Sequence, residues 1–318
     1  MNSVNSVVVG IDFTPGSAGA LREAIRISKW NRAAVRAVYV IDTLVAAELE
    51  EALTPLQQDI RRALVDDAKQ EWSRFAATID GAGAVPLEVR IDNRVRGILS
   101  VAREASADML VLGAFASRAP DTGLGSIASS CVRHAMIRVL LVRDTQTGPF
   151  KNVVACIDFS PNSLRALDQA ARVATQDSAA LHVLHVFDAP WHELHYRAPT
   201  PEADANFRQQ YRAGLERRLS DFAKGLGHEL GYLKPKFAVL DHKGHRSGIV
   251  EYARQVGADL IVLGTRGRTN LRDVLLGSTA ERTLRESPCS VLAVKPEGFS
   301  HPLATGEDQP QPQFRATF

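Results

Sequence analysis

Short runs of almost unbroken apolar residues alternate along this chain with longer stretches in which apolar positions recur every three or four residues. In the second half the series reads VVACID, a helical pattern from about 161, LHVLHVF, a long helical pattern around 203–228, KFAVLD, a helix from 247, DLIVLG, a helix from 278, and SVLAVK. Strands that are apolar at nearly every position are buried on both faces, and helices between them cover a parallel sheet from both sides. The pattern predicts an α/β unit with five strands. The first half shows the same series, with its long helix expected in the region 45–79.

The two halves are copies. VVVGIDFTPGSAGALREAIRIS (7–28) and VVACIDFSPNSLRALDQAARVA (153–174) agree at eleven of twenty-two positions without a gap, and GILSVAREASADMLVLG (97–113) and GIVEYARQVGADLIVLG (248–264) agree at nine of seventeen. RVLLVR (138–143) and SVLAVK (290–295) complete the correspondence, as an internal duplication requires. Residues 1–147 and 148–297 are therefore expected to form two domains, joined through the polar DTQTGPFK (144–151). The tail 298–318, rich in proline and glutamine and without periodicity, is expected to be disordered.

Composition narrows the function classes. A chain of 318 residues that is 45% hydrophobic and 23% charged is an ordinary globular composition with material for two cores. Thirty-eight basic and 36 acidic residues leave a formal charge of +2, which argues against a nucleic-acid partner. Cys131, Cys156 and Cys289 are too scattered for a disulfide framework or a metal-binding pair. No basic leader and no run of about 18 apolar residues occurs. A cytoplasmic protein without membrane attachment is the expectation.

The chemistry concentrates in GTRGRTNLRDVLLGST (264–279). In doubly wound sheets ligands settle beyond the carboxyl ends of the strands, where strand order reverses. The first strand of the second copy runs to Ile157-Asp158 and the fourth to Leu263-Gly264. Glycines at 264 and 267 admit a ligand close to the main chain and permit positive φ. Gly277-Ser278-Thr279 then leads into a helix, whose free N–H groups and positive dipole end favour an anion such as a phosphate chain.

The spacing G-x-x-G-x9-G-[ST], from Gly264 through Gly267 to Gly277-Ser278, resembles the nucleotide-binding signature of the ATP-binding branch of the universal stress protein family. The resemblance extends over about 7–143 and 153–295, with Asp12 and Asp158 where the family places an aspartate. It implies two tandem doubly wound domains, each a five-stranded parallel sheet of order 3-2-1-4-5 flanked by helices. It also implies adenine near Asp158 and the backbone of Val186, and ribose against Leu263 and Gly264. Phosphates would be held by Arg266, Gly267, Gly277, Ser278 and Thr279. The implied ligand is ATP with Mg²⁺, and the implied role is regulation of a protein partner by nucleotide occupancy. The last strands of the copies would pair as in the family's dimers, and a homodimer of the whole chain stays open. The first copy departs from the signature: Gly113 is kept, Ala116 replaces the second glycine, the excursion is eight residues instead of nine, and Gly125-Ser126-Ile127 closes it.

Plainer readings compete with these. Ser278 and Glu281 form an S-x-x-E capping box that needs no ligand. Asp158 precedes Ser160-Pro161, a capping serine and a first-turn proline, so its role could be structural. Arg266, Arg268 and Arg272 make the loop basic, and of these Arg266 is assigned to the ligand. Gly123-x-Gly125-x-x-Ala128 does not directly follow a strand and is read as coincidental, and no G-x-x-x-x-G-K-[ST] occurs. His182 and His185 are an odd number apart on a strand and face opposite ways, which opposes one site with His192 and His195; solvated loop histidines are expected. Cys156 and Cys289 read as small core residues. Two other functions stay open: a slow ATPase or phosphoryl-transfer enzyme using Asp158 and Asp273, and a nucleotide-free interaction scaffold.

Overall fold

A computed structural model describes residues 4–53, 59–114, 125–189, 191, 201–267 and 276–299, with only the backbone of 201–204, 228 and 229. The sequence expectations for the tail beyond 299, and for Ala116, His192, His195, Arg268, Arg272 and Asp273, lie outside them.

Each half begins with a strand and a helix fixed by local chemistry. In the first, β1 (Ser6–Ile11) leads into α1 (Pro15–Asn31). Thr14 caps α1 by accepting the Ser17 N–H, and Pro15 fills the first turn, where no intrahelical donor is required. In the second, β6 (Asn152–Cys156) leads into α6 (Pro161–Asp177), capped in the same way by Ser160. The first half continues with β2 (Ala34–Asp42), α2 (Thr43–Leu53), α3 (Ile60–Ala77), β3 (Leu87–Asp92), α4 (Arg94–Glu104), β4 (Met109–Gly113), α5 (Ser126–His134) and β5 (Arg138–Val142). The second continues with β7 (Ala180–Phe187), α7 (Pro201–Ala223), β8 (Lys236–Asp241), α8 (His245–Gln255), β9 (Leu260–Gly264), α9 (Ser278–Glu286) and β10 (Ser290–Val294).

The one long helix expected at 45–79 is two. α2 stops at Leu53 and α3 starts afresh at Ile60, with Asp59 accepting the Arg62 N–H as its cap. Pro55 lies between them in sequence, and a helix interior excludes a residue with no N–H. In the second half α7 gives way to a 3₁₀ stretch, Lys224–Leu230, in which Gly227 turns the chain at φ 71°.

Each half has the strand order 3-2-1-4-5, and the halves join into one ten-stranded sheet, β3-β2-β1-β4-β5-β10-β9-β6-β7-β8. All neighbours are parallel except β5 and β10, which pair antiparallel with Leu141 opposite Val291 and Leu140 opposite Leu292. This pairing removes two apolar edges that would otherwise template aggregation. The main apolar core on each sheet face contains residues of both halves: Val7, Leu21, Leu167 and Leu181 in one, Leu110, Leu141, Ile261 and Ala293 in the other. The seam is also less loose than its polar letters suggest. Phe150 is 1% exposed, and its N–H is accepted by Asp177 at 2.8 Å. Among the described residues no helix is long and apolar enough to cross a membrane.

Candidate functional site

The site begins where β6 ends. Asp158 Oδ1 accepts from the Ser160 N–H at 3.0 Å and the Ser160 hydroxyl at 2.6 Å, so the residue that caps α6 also orients the carboxylate. The structural reading of Asp158 is thus realised, yet it engages only one carboxylate oxygen. Phe159, between them, sits at φ 63°, an unfavourable conformation for a residue with a Cβ. Its ring is held by His185 at 4.4 Å, Phe222 at 5.6 Å and the guanidinium of Arg218 at 4.1 Å. That packing keeps the turn in place.

The loop after β9 folds back on this turn. Thr265 N–H donates to Val294 O at 2.9 Å, and the Asn162 side-chain amide donates to Arg266 O at 3.2 Å and Val294 O at 3.3 Å. The glycines follow from these contacts. A Cβ on Gly264 would lie 2.6 Å from Asn162 Nδ2, and one on Gly267 would lie 2.7 Å from Asp158 Oδ2. Neither glycine, nor Gly277 at φ −67°, adopts the positive φ that the sequence allowed for. Their bareness answers close protein neighbours: the strand-terminal carboxylate and the Asn162 amide stand where side chains would be.

Where α9 starts, the capping box does not form. Gly277 occupies the cap position, Ser278 is already the first helical residue, and no side chain caps the helix. Glu281 turns away to Arg133 of the first half at 2.5 Å. The Gly277 N–H donates to Thr265 O at 2.8 Å, so the N–H groups without intrahelical acceptors are those of Ser278, Thr279 and Ala280.

All of this borders one cavity of about 310 Å³. Asp158, Val186, Leu263, Gly264, Arg266, Gly267, Gly277, Ser278 and Thr279 line it together, and Asp158 is its only carboxylate among the described residues. The guanidinium of Arg266 lies over the Phe299 ring at 4.7 Å. Two buried polar atoms beside the cavity, Thr265 Oγ1 and Asn162 Oδ1, have no hydrogen-bond partner among the described residues.

The lining residues that the sequence reading did not assign to the site include His185, His245 and Thr265. His185 is no solvated loop residue. Its Nδ1 meets Ile157 O at 2.8 Å, an acceptor that assigns the proton to Nδ1 and leaves Nε2 to accept. Burial pushes the imidazole below its ordinary pKa, against the raising effect of that carbonyl. His182 is not solvated either; 4% exposed, it bonds Tyr252 at 3.0 Å on the other sheet face. Cys289 is buried as expected, whereas Cys156 is only partly buried and belongs to the cavity wall. The alternation of strand faces is legible in sequence, but which face meets a cavity is not.

The first half keeps a corresponding cavity of about 390 Å³, with different walls. Tyr39 stands at the His185 position, Arg94 at that of His245, and Ile127 at that of Thr279. Arg94 pairs with Asp42 at 3.6 Å within it. Gly16 replaces Asn162, and a Cβ on Gly113 would lie 2.8 Å from its backbone carbon. The first-copy cavity thus keeps the strand ends and loses polar groups on its helix side.

The profile of the universal stress protein family matches residues 4–143 and again 149–295. A universal stress protein of Mycobacterium tuberculosis strain H37Rv is 27% identical over 311 residues, covering 92% of this chain and 97% of its own. Universal stress protein A homolog 1 of Coxiella burnetii is 34% identical over 151 residues, 46% of this chain and 96% of its own. The crystal structure of a universal stress protein from Archaeoglobus fulgidus superposes with a TM-score of 0.62 at 20% identity, covering 93% of this chain and 99% of that one.

Proposed function

We propose, on the premise that the chain belongs to the universal stress protein family in both of its halves, that its second domain binds ATP and that occupancy there regulates engagement of a protein partner. The reading rests on one arrangement above all. The uncapped start of α9, with the N–H groups of Ser278, Thr279 and Ala280 open, faces the same cavity as the Asp158 carboxylate and the Val186 edge of β7.

That cavity is chemically divided. An anion is favoured at the helix start by the dipole and the open N–H groups, with Arg266 nearby. Asp158 Oδ2, not engaged by Ser160, suits a donor such as a ribose hydroxyl or an exocyclic amine, and His185 Nε2 adds an acceptor. Thr265 Oγ1 supplies a hydroxyl without a partner among the described residues. With one carboxylate in the described wall, an accompanying Mg²⁺ would take most of its ligands from the phosphates and water.

The first-copy cavity, with Ile127 and Ala114 at the positions of Thr279 and Thr265, is not expected to hold the phosphates. Isothermal titration with ATP and Mg²⁺ tests both statements: the stoichiometry should be near one per chain and binding should vanish in Gly277→Asp. A stoichiometry near two, or binding that survives the substitution, overturns the assignment to the second domain.

A further inference from the structure

A second cavity, of about 570 Å³, lies between α1 and α6 at the junction of the halves and shares no lining residue with the nucleotide-site candidate. Its walls follow the duplication. Met109 and Leu260 open β4 and β9, and Leu140 and Leu292 are direct partners across the antiparallel β5–β10 pair. Arg26 and Arg172 occupy the same turn of their two helices, eleven residues after Pro15 and Pro161. The cavity therefore straddles the approximate two-fold axis relating the domains, with an apolar floor and the exposed rings of Trp30 and Tyr232 at its rim.

The symmetry breaks at its polar groups. Arg26 is paired twice, to Glu23 and to Asp177. Gln169 stands on α6 where Glu23 stands on α1, so Arg172 has lost the matching carboxylate. It bonds Asp168 through Nε at 3.0 Å, while its Nη2 is buried with no acceptor among the described residues. The Gln169 amide does not compensate: its nitrogen donates to Asp168 and its oxygen accepts from Arg138. A buried guanidinium N–H without an acceptor is unfavourable, and a ligand oxygen relieves that. The volume falls within the range of small-molecule sites, and the composition, an apolar body with few convergent polar groups, matches them too.

We propose that this interdomain cavity binds a small amphiphilic monocarboxylate, its aliphatic or aromatic body over Leu140 and Leu292 and its carboxylate on Arg172. Glu23 and Asp177 share the single guanidinium of Arg26, and the incoming carboxylate is placed on Arg172, the other cation of the described wall. The test is calorimetric titration of the full chain, without nucleotide, with hexanoate, octanoate, octanol and octylamine. Octanoate should bind once per chain, about fourfold more tightly than hexanoate for each added methylene, and octylamine should not bind. Arg172→Met should weaken octanoate at least tenfold and leave octanol unchanged, Val173→Trp should abolish both by filling the space, and Gly277→Asp should leave octanoate binding intact. No octanoate binding, equal binding of octylamine, indifference to Arg172→Met, or loss of octanoate binding in Gly277→Asp would each overturn the proposal.

Discussion

Arg143 and Lys295 occupy matching positions just past β5 and β10, and each donates across the junction into the helix end of the other domain. Lys295 Nζ reaches Val132 O at 2.6 Å and Arg133 O at 3.3 Å in the last turn of α5, and Arg143 Nη2 reaches Ser287 O at the end of α9. Helix C-termini carry carbonyls without intrahelical donors and the negative dipole end, so two cations close two helices reciprocally.

Lys295 makes that closure pH-dependent. It is 4% exposed, and burial, reinforced by Arg266, lowers its ammonium from 10.5 to about 7. Between those values the unfolded chain binds more protons than the folded one, so this group makes stability rise with pH from about 7 and level off near 10.5. The full effect is at most about 5 kcal/mol. Thermal melts at pH 7 and 9.5 should show the parent gaining more than Lys295→Met, and equal gains would refute the assignment.

The β5–β10 seam should be sensitive to backbone chemistry. Proline at Leu141 or Ala293 is unable to donate to the ladder inside a central strand pair, which should cost about 1–3 kcal/mol for the acceptor left unpaired. Limited proteolysis is expected to release separate halves faster from these variants than from the parent. Release at the parental rate would mean that the two sheet-face cores hold the halves together without the ladder.

Gly267 and Asp158 form a coupled pair in this structure. Gly267→Ala places a Cβ where Asp158 Oδ2 now lies, and should destabilise by about 1–3 kcal/mol and weaken ATP at least tenfold. In Gly267→Ala with Asp158→Ala, most of the stability loss attributable to alanine at 267 should disappear. A double-mutant cycle by urea denaturation measures this, and strict additivity would show that the two residues do not meet.

Turnover is expected to be slow. Among its described residues the second-domain cavity offers dipoles and Arg266 to an anion but only one carboxylate, already half-engaged by Ser160. Such a cradle binds ground state and transition state alike and does not raise the rate. Single-turnover phosphate release with Mg²⁺ should fall far below the roughly 1 to 100 per second of phosphoryl-transfer enzymes. Per-second release that collapses in Asp158→Asn with ATP affinity retained would make the protein an enzyme.

The sequence alone determined the duplication, the five strands of each half, and the cap at Ser160 with Pro161 in the first turn. These are local: apolar periodicity, turn chemistry and spacing act within a few residues and survive copying. The nine residues that the family resemblance implies for a ligand line one cavity, because strand ends and helix starts of such a sheet converge by topology.

Tertiary structure decided what depends on which surfaces meet. Gly264 and Gly267 turned out to be bare for Asn162 and Asp158, about a hundred residues away in sequence, and Glu281 left its predicted cap for Arg133 in the other domain. His185 became a cavity wall only because β7 presents that face to the β6 turn. Lys295, a charged letter closing an apolar run, became a buried donor because the antiparallel register of β5 and β10 carries it to the end of α5. Contacts of that kind are set by register and packing between distant segments, which no local pattern in the chain encodes.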